Sequence, residues 1–298
     1  MPFTLSNLMQ GIYKSLGQMN MSTATGGSAT TAIDTKQTGL HRDDDWKEGT
    51  LFVIHDAAGA GASPEGKFQR ISGYTDSNTT FTIDTTVTDA IAAGDTFGFT
   101  SQKYPLHVMI QMVNDGLRLL GDVPAMDTTT LDTATSKTEY AAAVAWKRRR
   151  PYRVDIQTKI DDSDDNQWVE TTDYDWVPAA GGSTGLIVFH FQPVTTRDIR
   201  VWYRGPHPDL YTYSDVVNET IDPELAILAG TLKALEWRVS RSGGADPFEM
   251  QRLNDAKVEF ARRSVSDSPE KPKRGTKLFI VGPQEDFLDP RYTGTVRI

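Results

Sequence analysis

The stretch that decides the fold is 222–264, which reads DPELAILAGTLKALEWRVSRSGGADPFEMQRLNDAKVEFARRS. Asp-Pro occurs twice in it, at Asp222 and Asp246, and each pair is a helix start because Asp caps free backbone N–H groups and Pro fits the first turn. Gly243 and Gly244 form a turn signal between them. The stretch therefore predicts two consecutive amphipathic helices. The buried stripe of the first is expected to be Leu225, Leu228, Leu232, Leu235 and Val239.

Two further segments upstream have the periodicity of amphipathic helices. In the first, apolar residues recur at helical spacing from Leu5 to Met19, and Gly17 is a plausible stop. The second opens at Pro105, carries apolar residues on one face and ends at Gly121. Each presents a single apolar stripe, so each needs a partner surface in its own fold or in a neighbouring molecule.

Residues 22–102 change composition sharply toward Thr, Gly, Ser and Asp. Short β-prone runs alternate there with turn signals such as those at 61–66 and 76–78. Several strands at such close spacing predict a small β-barrel or sandwich, which we interpret as an insertion. The glycine-rich run at 58–63 is expected to be a hairpin loop. The predicted strands are 30–34, 50–54, 68–74, 79–84 and 96–99.

The region between the second and third helices is also β-prone. Residues 140–156 predict one or two strands interrupted around 148–151, and 186–191 and 199–203 predict two more in an antiparallel hairpin pattern. Residues 123–136 are rich in Thr and Asp, and we expect a connection there.

These patterns together predict an α+β fold. We expect a helical-bundle core with antiparallel β hairpins, an inserted small β-barrel or sandwich domain, and an extended C-terminal arm. The corresponding parts are an N-terminal amphipathic helix at 1–21, a Thr/Gly-rich β domain at 22–102, an α+β core at 103–265 and the arm at 266–298.

The composition excludes several classes of protein. The formal net charge is −9 at pH 7, which argues against a protein that grips nucleic acid with a clustered basic face. The chain has no cysteine, so disulfides and thiolate metal sites are excluded. No run reaches the roughly 20 apolar residues of a membrane span, and residues 1–20 lack the basic-then-apolar order of a signal peptide. We therefore expect a soluble protein with no membrane partner.

No motif for catalysis or for a cofactor stands out. The histidines form no His-Glu-x-x-His, so each is expected to be solvated or hydrogen-bonded rather than a metal ligand. Two acidic runs, 43–45 and 161–166, are interpreted as solvated turns; the second lacks the central glycine and the closing acid of a calcium loop. We predict no enzyme activity, no catalytic residue, no metal and no cofactor, while a site assembled from distant residues stays open.

The strongest basic cluster is the run of four cations at 147–150, which aromatic residues flank. It could contact phosphates, but the acidic total favours an interface that meets an acidic neighbour. Trp202 and Tyr203 are expected on opposite sides of one strand, where the exposed one would be an interface hot spot. The candidates for an interface or a phosphate contact are Arg148, Arg149, Arg150 and Trp202.

The end of the chain has a β-prone segment at 277–281 on a flexible, proline-broken spacer. The segment has no obvious local partner, and a strand on such a spacer often pairs with the sheet edge of another chain. The candidate docking residues are Lys277, Leu278, Phe279, Ile280 and Val281.

Residues 104–264 resemble the head–tail adaptor (connector, neck) proteins of tailed bacteriophages in the order and character of their segments. The resemblance covers roughly half of the chain, and 22–102 looks like the β modules of phage virion proteins. It is carried by the helix that begins Pro105-Leu106-His107-Val108-Met109-Ile110, by Thr138-Glu139-Tyr140, by Asp198-Ile199-Arg200-Val201-Trp202-Tyr203 and by the helix pair of 222–264.

The resemblance implies a structural protein without turnover or bound cofactor. Adaptors form a ring, usually of twelve copies, below the portal protein, and their lower face receives a stopper or tail-tube protein. The ring extends the channel through which packaged double-stranded DNA passes without specific binding, and an acidic wall would let the duplex slide. On this resemblance 277–281 would dock against the portal, and the protein would belong to the virion neck, assembled in the host cytoplasm.

Other classes stay open. The chain could be another neck or tail component, such as a tail terminator, a collar or a decoration protein. The tryptophans and threonines of the β regions are also compatible with a module that binds carbohydrate or a host surface. A hydrolase with an unrecognised site is the third alternative.

Overall fold

The computed structural model of this chain describes residues 2–59, 61–133, 137–143, 146, 149–158, 168–178, 184–243, 246–266, 277–278 and 296–297. They fall into two compact units. The first is Met1–Val123 with Pro206–Pro269, and the second is Pro124–Gly205 with Glu270–Ile298. The division into four parts that the sequence predicts, at 1–21, 22–102, 103–265 and 266–298, stays a prediction.

The described part of the first unit contains four α-helices, each where the sequence predicts one. Thr4 caps the first, since its hydroxyl accepts a hydrogen bond from Asn7 N at 3.4 Å. Asp222 caps the third through Leu225 N at 2.9 Å, and Gly243 ends that helix in the left-handed conformation. The helices are α1 (Leu5–Ser15), α2 (Leu106–Leu119), α3 (Pro223–Ser242) and α4 (Pro247–Ser266).

The chain between α1 and α2 forms an antiparallel sheet of seven strands. Five of them confirm the predicted strands, and the described residues of the 58–63 run lie in the loop of a hairpin. The strands are β1 (Met19–Thr23), β2 (Gly26–Ser28), β3 (Thr31–Ile33), β4 (Thr50–His55), β5 (Phe68–Thr75), β6 (Thr80–Ile83) and β7 (Thr96–Thr100). Their order is β1-β7-β4-β5-β6-β3-β2. Met19 lies opposite Thr100, so the chain enters and leaves the sheet at one place.

The helices share one core with the base of this sheet. Phe52 and Phe68 of the sheet pack in the same cluster as the buried faces of the four helices. Tyr13 of α1 joins the two parts, because its hydroxyl donates to Tyr104 O at 2.7 Å and lies 3.3 Å from Thr50 Oγ1. Burial raises the pKa of Tyr13 well above its usual value, so the hydroxyl stays protonated and available as a donor.

The central helix, α3, packs against each of the other three helices, and glycines lie at its contacts with α2 and α1. Gly116 of α2 approaches the α3 backbone so closely that a Cβ there would lie 2.8 Å from Gly230 N. Gly230 in turn faces Ile12 of α1. α2 and α3 therefore cross at near backbone contact, which a side chain at Gly116 would prevent.

Two antiparallel sheets of the second unit share a common core. Their strands are β8 (Asp122–Asp132), β9 (Glu139–Ala141), β10 (Arg153–Gln157), β11 (Trp168–Thr171), β12 (Tyr174–Val177), β13 (Leu186–Phe189) and β14 (Asp198–Pro206). The sheets have the orders β11-β10-β14-β8 and β12-β13-β9. Both contribute to the core, for example through Val154, Ile187 and Val201. Because β8 occupies 122–132, the prediction of a connection at 123–136 is wrong.

The expected helical-bundle core is also wrong, although the fold is α+β in the broad sense. The described chain is mostly β, with antiparallel sheets of seven, four, three and two strands beside four helices. Two packing facts explain the difference. Strands between β8 and β14 bury apolar side chains such as Leu131, Val154 and Ile187 in a core of their own, and the helices bury theirs together with Phe52 and Phe68 of the seven-stranded sheet.

Candidate interaction surfaces

The first acidic run holds a loop of the seven-stranded sheet. Asp43 accepts a hydrogen bond from Asp76 N at 2.8 Å, and Asp44 accepts one from Tyr74 N at 3.3 Å. These carboxylates serve backbone donors, as turn residues commonly do. Among the described residues, no group of three or more His, Asp or Glu side chains is placed to hold a metal ion, and the second acidic run lies outside them.

The buried histidine His207 organises the 207–222 segment, which leads into α3. Its Nδ1 donates to Pro208 O at 2.6 Å, and its Nε2 accepts from Asn218 N at 2.9 Å. Burial lowers the pKa of His207 below its usual value. The ring is therefore neutral near pH 7 and can make both bonds at once.

The 207–222 segment is a fixed acidic surface. It carries four carboxylates and neither Lys nor Arg. The Nη2 of Arg118, on α2, contacts both carboxylate oxygens of Asp209 at 2.6 and 2.7 Å. At the other end of the segment, Val216 forms a β-bridge with Thr4. The four carboxylates are those of Asp209, Asp215, Glu219 and Asp222.

The basic cluster leads directly into β10, the neighbour of the strand that carries Trp202. Arg149 and Arg150 belong to the described residues, whereas Arg148 lies outside them. Just after the cluster, Tyr152 N donates to Trp202 O at 3.0 Å. The pairing of β10 with β14 therefore places the chain that directly follows Arg150 beside Trp202.

Trp202 and Tyr203 lie on opposite faces of β14, as the alternation predicts. Tyr203 packs against the core of the second unit. Trp202 donates its indole N–H to Asp155 Oδ2 at 2.9 Å, and Arg153 donates to the other oxygen at 2.7 Å. Asp155 is fully buried. Trp202 therefore supports a buried carboxylate, and its use as an interface hot spot stays a prediction.

The described part of the candidate docking segment has a partner within its own chain. Lys277 and Leu278 form β15, which pairs antiparallel with β16 (Val296–Arg297). Phe279, Ile280 and Val281 lie outside the described residues.

Charged contacts near its start hold α4 to the other helices. The buried Glu249 accepts hydrogen bonds from Lys103 Nζ at 2.8 Å and from Arg238 Nε at 3.3 Å. The bond from Lys103, followed by that from Arg238, holds the pKa of Glu249 below its usual value. One turn later, Arg252 donates to Ser15 O at 3.1 Å, at the C-terminal end of α1.

α4 exposes three large apolar side chains, those of Phe248, Met250 and Val258. Phe248 is 69% exposed and Val258 is 71% exposed. Phe248 lies in the first turn, where its backbone N–H donates to Asp246 Oδ1 at 2.9 Å. The guanidinium of Arg252 lies 6.0 Å from the centre of its ring. Phe248 is thus an exposed aromatic residue at a fixed position beside a cation.

An open pocket of about 460 Å³ lies where the beginning of the chain meets the start of α3. Its walls are tied together, since Val217 N donates to Phe3 O at 2.9 Å. The lining is mostly apolar and contains one carboxylate, so it suits an apolar side chain that a cation accompanies. Sequence reasoning did not find this pocket. Its lining residues are Pro2, Phe3, Val217, Asn218, Glu219, Ile221 and Pro223.

None of the helices in the described part of the chain has the length and apolar content needed to cross a membrane. No protein-family model matches the chain, and comparison with curated proteins finds no relative. A function for the chain is therefore argued from its own residues.

Proposed function

We propose that this protein is a structural subunit of a bacteriophage neck, a head–tail adaptor that forms a ring below the portal protein. The observation that carries the proposal is the packing of α2, α3 and α4. These helices bear the resemblance to adaptors. α2 and α3 pack directly on each other, and α3 packs on α4, although all the strands from β8 to β14 separate α2 from α3 along the chain.

The position of the β regions supports the same role. The seven-stranded sheet is inserted between α1 and α2, and the strands of the second unit are inserted between α2 and α3. Insertions at helix connections leave the helix packing in place while they add surface. Added surface is what a subunit needs when it contacts copies of itself and two different neighbours.

In this proposal each chain meets copies of itself, twelve in the usual adaptor ring. It meets the portal protein on one side and a stopper or tail-tube protein on the other. The 277–281 segment docks on the portal, and Arg148, Arg149, Arg150 and Trp202 contact a neighbouring subunit. The net charge of −9 per copy repels the phosphates of the passing duplex. The protein performs no reaction, and it acts in the virion neck after assembly in the host cytoplasm.

Co-expression with the portal protein of the same genome tests the proposal. Negative-stain images of the purified complex are expected to show a second ring on the portal ring. A variant that lacks 266–298 is expected to stay folded by circular dichroism and to lose portal binding. Portal rings that never acquire this protein would refute the neck role. Portal binding that survives the deletion would refute the docking role of the C-terminal arm.

A module that binds carbohydrate is the second candidate, and one observation favours it. Trp202 and Trp168 both carry an arginine against the ring, at 5.8 Å for Arg153 and 4.1 Å for Arg200. Aromatic rings with adjacent hydrogen-bond donors are typical of sugar-binding surfaces. A glycan array probed with the wild type and with Trp168→Ala tests this candidate. A sugar bound only by the wild type would support it, and no binding at all would exclude it.

A further inference from the structure

We propose that Phe248 of one copy inserts into the pocket at the start of α3 of a second copy, so that identical subunits associate head to tail. The inference rests on the proposed ring-forming function and names the contact that builds the ring. It depends on four features of the first unit: an exposed aromatic side chain, a pocket of matching character, complementary charge and the distance between the two sites.

Phe248 has the properties of an interface anchor. It is 69% exposed, yet its backbone is capped by Asp246 and its ring lies beside Arg252. The side chain is therefore presented in a defined position, which lowers the entropy lost on binding. Large aromatic residues and arginine are the residue types that most often dominate protein interfaces.

The pocket is formed before any partner arrives. Its two walls are joined by the hydrogen bond from Val217 N to Phe3 O and by the β-bridge between Thr4 and Val216. Apolar side chains from both walls line it, so it can receive a phenyl ring.

The two sites contain one pair of oppositely charged side chains, Arg252 beside Phe248 and Glu219 in the pocket, although the carboxylate of Asp246 also lies next to Phe248. Glu219 lines the pocket, and the 207–222 segment that contains it carries four carboxylates and no cation. Arg252 accompanies Phe248 on α4. When the ring of Phe248 enters the pocket, the guanidinium of Arg252 comes toward the acidic 207–222 segment. The attraction between these opposite charges favours this orientation of the two subunits over others.

The two sites lie too far apart for one molecule to fill its own pocket. The pocket is at the N-terminal end of α3, and Phe248 follows soon after its C-terminal end. Because α3 has 20 residues, about 1.5 Å of rise per residue places them roughly 30 Å apart. A contact between two different surfaces of identical chains is heterologous, so it builds a closed ring or an open filament rather than a symmetric pair.

Crosslinking between two single-cysteine variants tests this contact, and the natural chain has no cysteine to interfere. Gln251→Cys and Thr220→Cys, at exposed positions close to Phe248 and Glu219 that leave both of those side chains in place, are mixed and treated with a short bis-maleimide. A crosslinked dimer is expected in the mixture and in neither variant alone, and the double variant is expected to give a ladder of oligomers. The matched control replaces Gln251→Cys by Val258→Cys, an exposed position further along the same helix. Equal yields from the two mixtures, or no crosslink, would overturn the contact.

Sedimentation of uncrosslinked variants gives an independent readout. Phe248→Ala and Glu219→Arg are each expected to weaken self-association by about tenfold or more. A mixture of the two is expected to form dimers and nothing larger, because one intact knob meets one intact pocket. Val258→Ala is the control and keeps wild-type association. Neck rings that persist with Phe248→Ala would refute this contact and leave the adaptor role standing. Crosslinking without any portal binding would refute the adaptor role and leave this contact standing.

Discussion

The side chain of Asn114, in α2, hydrogen-bonds to both backbone polar groups of Leu210, 96 residues further along the chain. Its Nδ2 donates to Leu210 O at 2.9 Å, and its Oδ1 accepts from Leu210 N at 2.8 Å. Both residues are buried. The amide thus acts as a one-residue strand partner that fixes the acidic 207–222 segment to the helices.

Replacing Asn114 is expected to loosen this segment. Asn114→Ala leaves the N–H and C=O of Leu210 buried without partners, and each such group costs about 1–3 kcal/mol. We expect a lower free energy of unfolding and faster hydrogen exchange of the Leu210 amide. The control is Asn254→Ala, at an exposed position on α4, which should change neither. An unchanged exchange rate at Leu210 in Asn114→Ala would contradict the role of the bonds.

Alanine at Gly116 is expected to destabilise the protein, although alanine is the better helix former. The added Cβ would meet the α3 backbone, 2.8 Å from Gly230 N, and backbone cannot move aside cheaply. We expect a loss of about 1–3 kcal/mol where an open helical site would gain about 0.5–1 kcal/mol. Urea unfolding followed by far-ultraviolet circular dichroism measures it.

Gly11 provides the comparison for that prediction. A Cβ there would lie 2.5 Å from Ile227 Cδ1, the far end of a flexible side chain that can rotate away. Gly11→Ala should therefore cost less than Gly116→Ala. The reverse order would show that the α2–α3 crossing has more room than its geometry indicates.

Acid should weaken the first unit through His207. Its pKa in the folded protein lies below the ordinary value of 6.5, so the unfolded chain binds the proton more readily. The contribution of the neutral His207 ring to the free energy of unfolding is fully present above pH 6.5. It decreases as the pH falls from 6.5 through the folded pKa, by at most about 1.4 kcal/mol per pH unit. Urea midpoints measured across this range should show the decline.

Variants identify the group responsible for that decline. His207→Gln is expected to be less stable at neutral pH, because a flexible amide replaces the rigid ring that bonds both Pro208 O and Asn218 N, but to lack the histidine-dependent fall. The exposed His107→Gln should keep the wild-type profile. A wild-type pH profile in His207→Gln would assign the titration to another group.

Trp202→Phe should destabilise the second unit by about 1–3 kcal/mol. The change removes the indole N–H that donates to Asp155, and the buried carboxylate keeps only its bond from Arg153. Hydrogen exchange of the β10 amides reports on this unit alone. Trp168→Phe is the control, since the phenyl ring can still stack on Arg200. Equal effects of the two changes would mean that ring size, not the hydrogen bond, matters at Trp202.

The sequence predicts those elements whose signals are local. Asp222 and Gly243 give both ends of α3, and alternation and turn residues locate β3 to β7. The sequence does not predict β8, because its Thr- and Asp-rich residues show no alternation of apolar and polar side chains. They form a strand by pairing at the edge of β14, and such pairing depends on tertiary contacts.

The candidate interaction surfaces also depend on tertiary contacts that the sequence does not reveal. Phe248 is visible in the sequence as part of an amphipathic helix, but its exposure depends on which face of α4 packs on α3. The pocket joins Phe3 with Val217, more than two hundred residues away, so no local pattern can indicate it. The predicted helical-bundle core is wrong for a related reason. Periodicity identifies helices and strands, but it does not show which of them share a core.

The shared entry and exit of the seven-stranded sheet has a mechanical consequence. Met19 and Thr100 stand at the same end of the β1–β7 pair, next to α1 and α2. A force that separates α1 from α2 would act on the five residue pairs between β1 and β7 one after another, from this end, rather than on all of them together. Because these pairs separate in succession, resistance to such a force also depends on the packing of α1 and α2 on α3 and on the core that the helices share with Phe52 and Phe68. The strands β6, β3 and β2 stand at the other side of the sheet, outside the path of the force, so the loops between them can differ in length without changing that path.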